Sequence, residues 1–506
     1  MKNRELKRWI GRFIVGLLLL SVLGACKPSL PLSTQTSPIP EKITTITTET
    51  TTVIQKSPTS TKEIPSIETP AILPTLSPTF PVMGIELYQV TTAGGVEMAQ
   101  QAGAYWVRRN ALLWSEVEPE PGVRQWEELV ELEKEMVAAS ESGLQLVLVV
   151  RSTPDWAQAV KGSKCGPVAP DKLFDFASFM FDAVQRYSSP PYNVKYWELG
   201  NEPDISFFGF NPESEFGCWG DPDNPFYGGT YYAEMLKVVY PQVKAANNHV
   251  QVLVGGLLLD CDPNNPPETT PGSGQLKDCS PARFMEGILE NGGGDYFDGV
   301  SFHAYDYYQG KIGQYSNTNW HSAWNTTGPV LIAKARYLFS LLARYQYMGK
   351  FLMNTELALL CGRDGSEAEC QTADFENTKA SYLAQASASA VVEQLQANIW
   401  YNLFGWRGSG LISVGQKPLP AYDAFSTSAN FLLNVEYLGL IDQFPGVTGY
   451  EFRRGGALSW ILWSLDGMDH PIQLDQLPAR IIDVTGKIIQ PIQRISITLS
   501  PIYIIW

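Results

Sequence analysis

The chain has only four histidines among 506 residues, and none of its seven cysteines is spaced as zinc ligands are. A bound metal is therefore not expected. No Gly-x-Ser-x-Gly elbow, phosphate loop or dinucleotide-binding glycine fingerprint occurs, which leaves nucleotide-dependent and serine-hydrolase chemistry without support and implies no cofactor. Positive charge is also short: 37 Lys and Arg against 52 Asp and Glu give a formal charge of −15, which disfavours nucleic acid as a partner. Several of the basic residues are spent at the extreme N-terminus (Lys2, Arg4, Lys7, Arg8, Arg12). The apolar run behind them, Phe13 to Val22, is short for a membrane span of ~20 residues.

What is present at that end reads as an export signal, residues 1–26. Leu23-Gly24-Ala25-Cys26 resembles a bacterial lipobox, with Cys26 as the lipid-attachment residue. The expected location is extracytoplasmic, with the chain tied to the membrane by lipid. Residues 27–80 are dominated by Ser, Thr and Pro, with too few large apolar side chains to offset the entropy of ordering, and read as a disordered tether. Export also suits the remaining cysteines: Cys165, Cys218, Cys261, Cys279, Cys361 and Cys370 form an even set. Proximity in sequence favours Cys261–Cys279 and Cys361–Cys370, which leaves Cys165–Cys218.

With 44% hydrophobic and 12% aromatic residues, the rest of the chain has ample material for a core. Strand-like runs recur at Met83–Leu87, Trp106–Asn110, Gln145–Val150, Val194–Leu199, Val250–Gly255, Gly299–His303, Phe351–Thr355 and Ala397–Tyr401. Amphipathic stretches lie between them; Leu173, Phe176, Met180 and Val184 share a helical spacing, as do Leu331, Leu338, Leu341 and Tyr345. Eight such alternations predict an α/β class fold, a (β/α)₈ TIM barrel over residues 81–425. Two segments rich in Gly, Pro, Asn and Asp, from Asp204 to Gly229 and from Leu257 to Cys279, are expected to rise over its catalytic face, stiffened by their cysteines. Residues 426–506 turn to strand signals at Tyr450–Arg454, Ala457–Trp463, Ala479–Val484 and Ile495–Trp506, and predict a small all-β domain. That domain is expected to draw one strand from just before Glu86.

The chemistry is anchored on two of the strands. Trp197-Glu198-Leu199-Gly200-Asn201-Glu202-Pro203-Asp204 is a strand running into turn-formers, and Phe351-Leu352-Met353-Asn354-Thr355-Glu356 is another that ends on a glutamate. Carboxylates at the carboxyl ends of barrel strands sit where barrel enzymes keep their chemistry. A pair of them is what acid/base-assisted glycosidic cleavage requires. Glu198, four residues before Glu202, is expected to lie deeper and to be structural.

The order and spacing of the motifs resemble the clan A glycoside hydrolases, closest to the cellulase-type and β-xylosidase-type families. Trp106-Val107-Arg108 and Trp114 to Trp126 resemble that clan's second-strand region, Trp197 to Pro203 its fourth, Phe302-His303-Ala304-Tyr305 its sixth, Thr355-Glu356 its seventh and Trp400-Tyr401 its eighth. The resemblance runs from about residue 83 to 425. It implies a retaining enzyme acting on a carbohydrate, with Glu202 as general acid/base, Glu356 as nucleophile and Asn201 on the sugar 2-hydroxyl. Arg108, His303, Tyr305 and Trp400 are the expected substrate-binding and supporting residues, Trp400 as the floor under the reacting sugar. Leu357-Ala358-Leu359-Leu360-Cys361 departs from the family pattern, which has a glycine or aromatic soon after the nucleophile. The alternative is a surface-anchored carbohydrate-binding protein that keeps the barrel without turnover.

Overall fold

In the computed structural model the described residues are 81–91, 94–207, 214, 217–361 and 372–506. The expected export signal, Cys26 and the tether lie outside them, and so does Cys370. No helix among the described residues is long and apolar enough to cross a membrane.

Eight strands form one parallel sheet: β1 (Met83–Glu86), β2 (Trp106–Leu113), β3 (Gln145–Arg151), β4 (Tyr196–Asn201), β5 (Gln251–Leu257), β6 (Gly299–Tyr308), β7 (Phe351–Leu360) and β8 (Ala397–Trp400). Their order is 5-4-3-2-1-8-7-6, and β5 pairs with β6 to close the ring. The fold is therefore the expected (β/α)₈ barrel. Helices fill the outside by the usual division of faces. In Leu173–Tyr187, for example, Leu173, Phe176, Ala177, Met180 and Val184 are buried while Phe174 is exposed.

The strands begin close to where the sequence places them but run further toward the rim. β4 reaches Asn201, β5 Leu257, β6 Tyr308 and β7 Leu360. The extension of β7 accounts for Leu357 to Leu360: all four are buried, and β7 stays paired with β6 as far as Tyr307↔Leu360, so these residues continue the strand past its expected end at Thr355. β6 then folds back into a short hairpin through 315–317 and 322–323.

Beyond helix Pro420–Phe431, the C-terminal residues build an antiparallel six-stranded sheet in the order 436–441, 447–454, 457–464, 502–505, 480–483, 488–489. One face of it, carrying Tyr450, Phe452, Ile461, Trp463 and Tyr503, joins the main core, and the Tyr503 hydroxyl lies 2.9 Å from Ser428 Oγ on the helix. Two expectations are corrected here. Ile495–Trp506 is two strands: Pro501 supplies no N–H, the chain breaks at 498–501, and Arg494–Ile497 pairs separately with His470–Gln473. No strand is drawn from before Glu86 among the described residues; Met83–Glu86 is β1 of the barrel, held between β2 and β8.

Two disulfides join Cys165 to Cys218 and Cys261 to Cys279. Cys165 belongs to the segment after β3, so the first bridge staples that segment to the one after β4 and does not stiffen a single insertion. Cys361 is also disulfide-bonded; its expected partner, Cys370, is outside the described residues.

Candidate active site

The carboxyl ends of the strands collect a buried set of charges. β1 contributes Glu86, β2 Arg108, β4 Glu198 and Asn201, β6 His303 and Tyr305, and β7 Glu356. Glu202 is the first residue past β4, in the left-handed region at φ 52, with its N–H held by the Gly256 carbonyl at 2.8 Å. The residue types explain the close fit. A Cβ at Gly256 would stand 2.2 Å from His303 Nε2 and 2.6 Å from Glu198 Oε1, so only glycine lets both side chains in. β6 and β7 slip by one residue between Phe302 and His303, opposing His303 to Glu356 and skipping Thr355. Such bulges re-aim side chains.

Arg108 is the hub. Its Nη1 donates to Glu356 Oε1 at 2.5 Å and Glu86 Oε2 at 2.7 Å. Nε and Nη2 grip both oxygens of Glu198 at 3.0 Å, and Nη2 also reaches Asn201 Oδ1 at 2.7 Å. A fixed guanidinium fork suits this bidentate work where a lysine would not. Arg109 turns the other way, to Glu135 at 2.5 Å. The Tyr305 hydroxyl donates to Glu356 Oε2. His303 Nδ1 lies 2.9 Å from Glu202 Oε1 and 3.4 Å from Glu356 Oε2. One oxygen of Glu202 and one of Glu356 are within 4.8 Å of each other.

Burial pushes both carboxyls upward, and their partners then set them apart. Glu202 is pushed well above the usual carboxylate range, first by burial and then by the charges of Glu356 and Asp204. Glu356 is raised by burial too, yet Arg108 and the Tyr305 hydrogen bond pull it back. Burial, with Arg108 and Lys334 nearby, holds His303 well below its usual value and keeps it neutral. Burial takes Glu86 up to about 8. Burial thus favours the protonated form of Glu202, while Arg108 and Tyr305 favour the ionised form of Glu356. His303 and these two carboxyls are also close enough together to hold an ion, but the Arg108 charge on Glu356 disfavours a second cation there.

The five expected supporting residues divide. Arg108, Asn201, His303 and Tyr305 converge with Glu202 and Glu356 on the rim. Trp400 does not. It is 1% exposed, its indole N–H donates to the Ser409 carbonyl at 2.8 Å, and its ring packs on Tyr382, so it holds up the loop after β8 from behind. The next residue faces the site: Tyr401 meets Tyr305 at 6.2 Å, Trp406 at 6.3 Å and Tyr88 at 6.2 Å between ring centroids. Tyr88 and Trp406 are each 45% exposed, which makes this an open aromatic wall beside Glu356. Sequence reasoning missed Glu86, Tyr88, Tyr401 and Trp406. Tyr401 was signalled, since like Glu202 it is the first residue past its strand.

No protein-family model matches the sequence, and no curated protein matches it. Solved structures do. A family 39 glycoside hydrolase from Bacteroides cellulosilyticus WH2 matches with TM-score 0.60 at 19% identity, over 84% of this chain and 80% of that one. The chain shares its fold with glycoside hydrolases. A family 30 endoxylanase from Clostridium papyrosolvens C71 matches with TM-score 0.54 at 10% identity, over 84% and 96% of the two chains. An α-L-arabinofuranosidase from Thermotoga maritima matches with TM-score 0.53 at 12% identity, over 85% and 97%.

Proposed function

We propose that this chain is a retaining glycoside hydrolase that cleaves an O-glycosidic bond, β-linked, in an oligo- or polysaccharide, with Glu202 as acid/base and Glu356 as nucleophile. The observation that carries the reading is the spacing of the pair and the contrast in their partners. Oxygens within 4.8 Å suit direct attack, since inverting enzymes hold their carboxyls about 6.5–9.5 Å apart to admit a water. In the first step a Glu356 oxygen bonds to the anomeric carbon as the glycosidic C–O bond breaks. Glu202 gives its proton to the departing oxygen. In the second step Glu202 takes a proton from water, the water oxygen bonds to the same carbon, and the sugar–Glu356 ester breaks. Arg108 and Tyr305 keep Glu356 ionised and aimed. Asn201, oriented by Arg108, faces the 2-hydroxyl. The Tyr88–Tyr401–Trp406 wall offers apolar faces to sugar rings.

Structural neighbours that are glycoside hydrolases support the reaction class. The disulfides suit an oxidising compartment outside the cytoplasmic membrane, and we place the enzyme there on a lipid at Cys26. The test is a panel of 4-nitrophenyl β-glycosides with the product anomer followed by proton NMR. Release of the β-anomer first is the expected result. First release of the α-anomer, or no hydrolysis of any β-glycoside, would overturn the proposal.

A further inference from the structure

Behind the two glutamates, helix Val330–Arg344 sends one buried cation toward the rim. Lys334 is 3% exposed, and its Nζ donates to the carbonyls of Leu258, just past β5, and His303, on β6, both at 2.7 Å. Asp204, two residues beyond Glu202, closes the same bracket from the other side: its carboxylate accepts from the N–H groups of Leu258 and Leu259 at 2.8 Å. Trp320 adds an indole N–H to the Leu259 carbonyl at 2.7 Å and lies under the ammonium at 5.8 Å. Asp306 docks the helix by accepting from Val330 N at 2.8 Å. Burying a lysine is costly unless its charge is used. Two carbonyls could be satisfied by neutral donors, so the charge itself calls for a reason.

We propose that Lys334 is a positioning residue for proton donation: its ammonium ties the rim ends of β5 and β6 together behind Glu202 and His303 and presents a positive charge to the Glu202 side of the site. The inference rests on Glu202 being the proton donor. The groups acting on Glu202 are Glu356 on β7, Asp204 on its own loop, Arg108 on β2, His303 on β6 and Lys334 on the helix. Those acting on Lys334 are Asp204, Asp260 in the segment after β5, Glu202 and Asp306; burial nevertheless brings it down to about 8. Arg108 is already shared among Glu86, Glu198 and Glu356, and Lys277 pairs with Asp260, which leaves Lys334 as a buried cation beside Asp204 and Glu202 among the described residues.

The sign is fixed by charge. A nearby cation favours the ionised carboxylate, so removing it keeps Glu202 protonated to higher pH. The test compares Lys334→Met and Lys334→Arg with the wild type, taking kcat/KM against pH on the 4-nitrophenyl β-glycoside that the wild type hydrolyses best. The alkaline limb of the Met variant is expected about one pH unit above that of the Arg variant, with the wild type between them. A purely structural role would lower activity in both and leave the limbs together, and coincident limbs overturn the proposal. Lys334→Gln keeps a donor without the charge and takes the place of Met if that variant does not fold; loss of folded protein in both would assign Lys334 to stability alone and also overturn it. Glu202→Gln separates the two levels. If that variant retains the alkaline limb, the acid assignment itself falls. If it loses the limb while the Lys334 limbs coincide, only this inference falls.

Discussion

Glu202 and Glu356 are buried to the same extent, 5% exposed each, on one barrel rim, yet their partners differ. Glu356 has the guanidinium of Arg108 and the phenol of Tyr305. Glu202 has the imidazole of His303, held neutral, with Asp204 adding a second carboxylate nearby. Burial supplies a common upward push to both groups, and the partners supply the difference. That difference is the division of labour between acid and nucleophile that the proposed double displacement needs.

The comparison breaks hardest at Glu356. Glu356→Ala leaves no nucleophile, and turnover is expected to fall about 10⁴-fold or more on every substrate. Azide should restore part of it, with product of inverted configuration seen by NMR; retained configuration would show that Glu356 is not the attacking group.

Arg108→Met takes away the cation that three carboxylates share. Leaving buried charge unpaired costs about 3–5 kcal/mol, to be read from urea unfolding. In whatever folds, the acid limb of kcat/KM should move to higher pH, because Glu356 loses the group that favours its ionised form. An unshifted limb would mean that Arg108 is only a structural strut.

Glu202→Gln should be selective where the first two are not. On 4-methoxyphenyl glycosides, which need a proton, the bond-breaking step is expected to slow about 10³-fold; on 2,4-dinitrophenyl glycosides it should be nearly untouched. Equal loss on both would remove the acid role. The smallest effect is expected from Tyr305→Phe. Removing one hydrogen bond to the ionised form raises the pKa of Glu356, so the acid limb should rise while the alkaline limb stays. Movement of the alkaline limb instead would tie Tyr305 to Glu202.

Much of the barrel was legible because its strands are buried on both faces and read as short apolar runs, as in Gln145–Arg151. The two glutamates were legible because each follows such a run. What failed lies at the rim, where alternation stops being a guide. The slip that skips Thr355 aims Glu356 inward in a way no two-residue period gives. The same limit put Trp400 in the cleft in place of Tyr401. Glu86 carries no motif of its own; its role appears only once β1 and β2 pair Glu86 with Arg108. Glu198 was read as structural, and its bidentate grip on Arg108 gives that word content: it holds the hub in place.

Gly256 has no side chain to offer a substrate, yet it limits how the chain can change over generations. Every other amino acid carries a Cβ, and at this position that atom would fall within 2.6 Å of both His303 Nε2 and Glu198 Oε1. No codon change short of a synonymous one escapes the collision, and none can be made good by a second change on the same strand. Relatives of this protein that keep His303 and Glu198 should keep glycine at position 256.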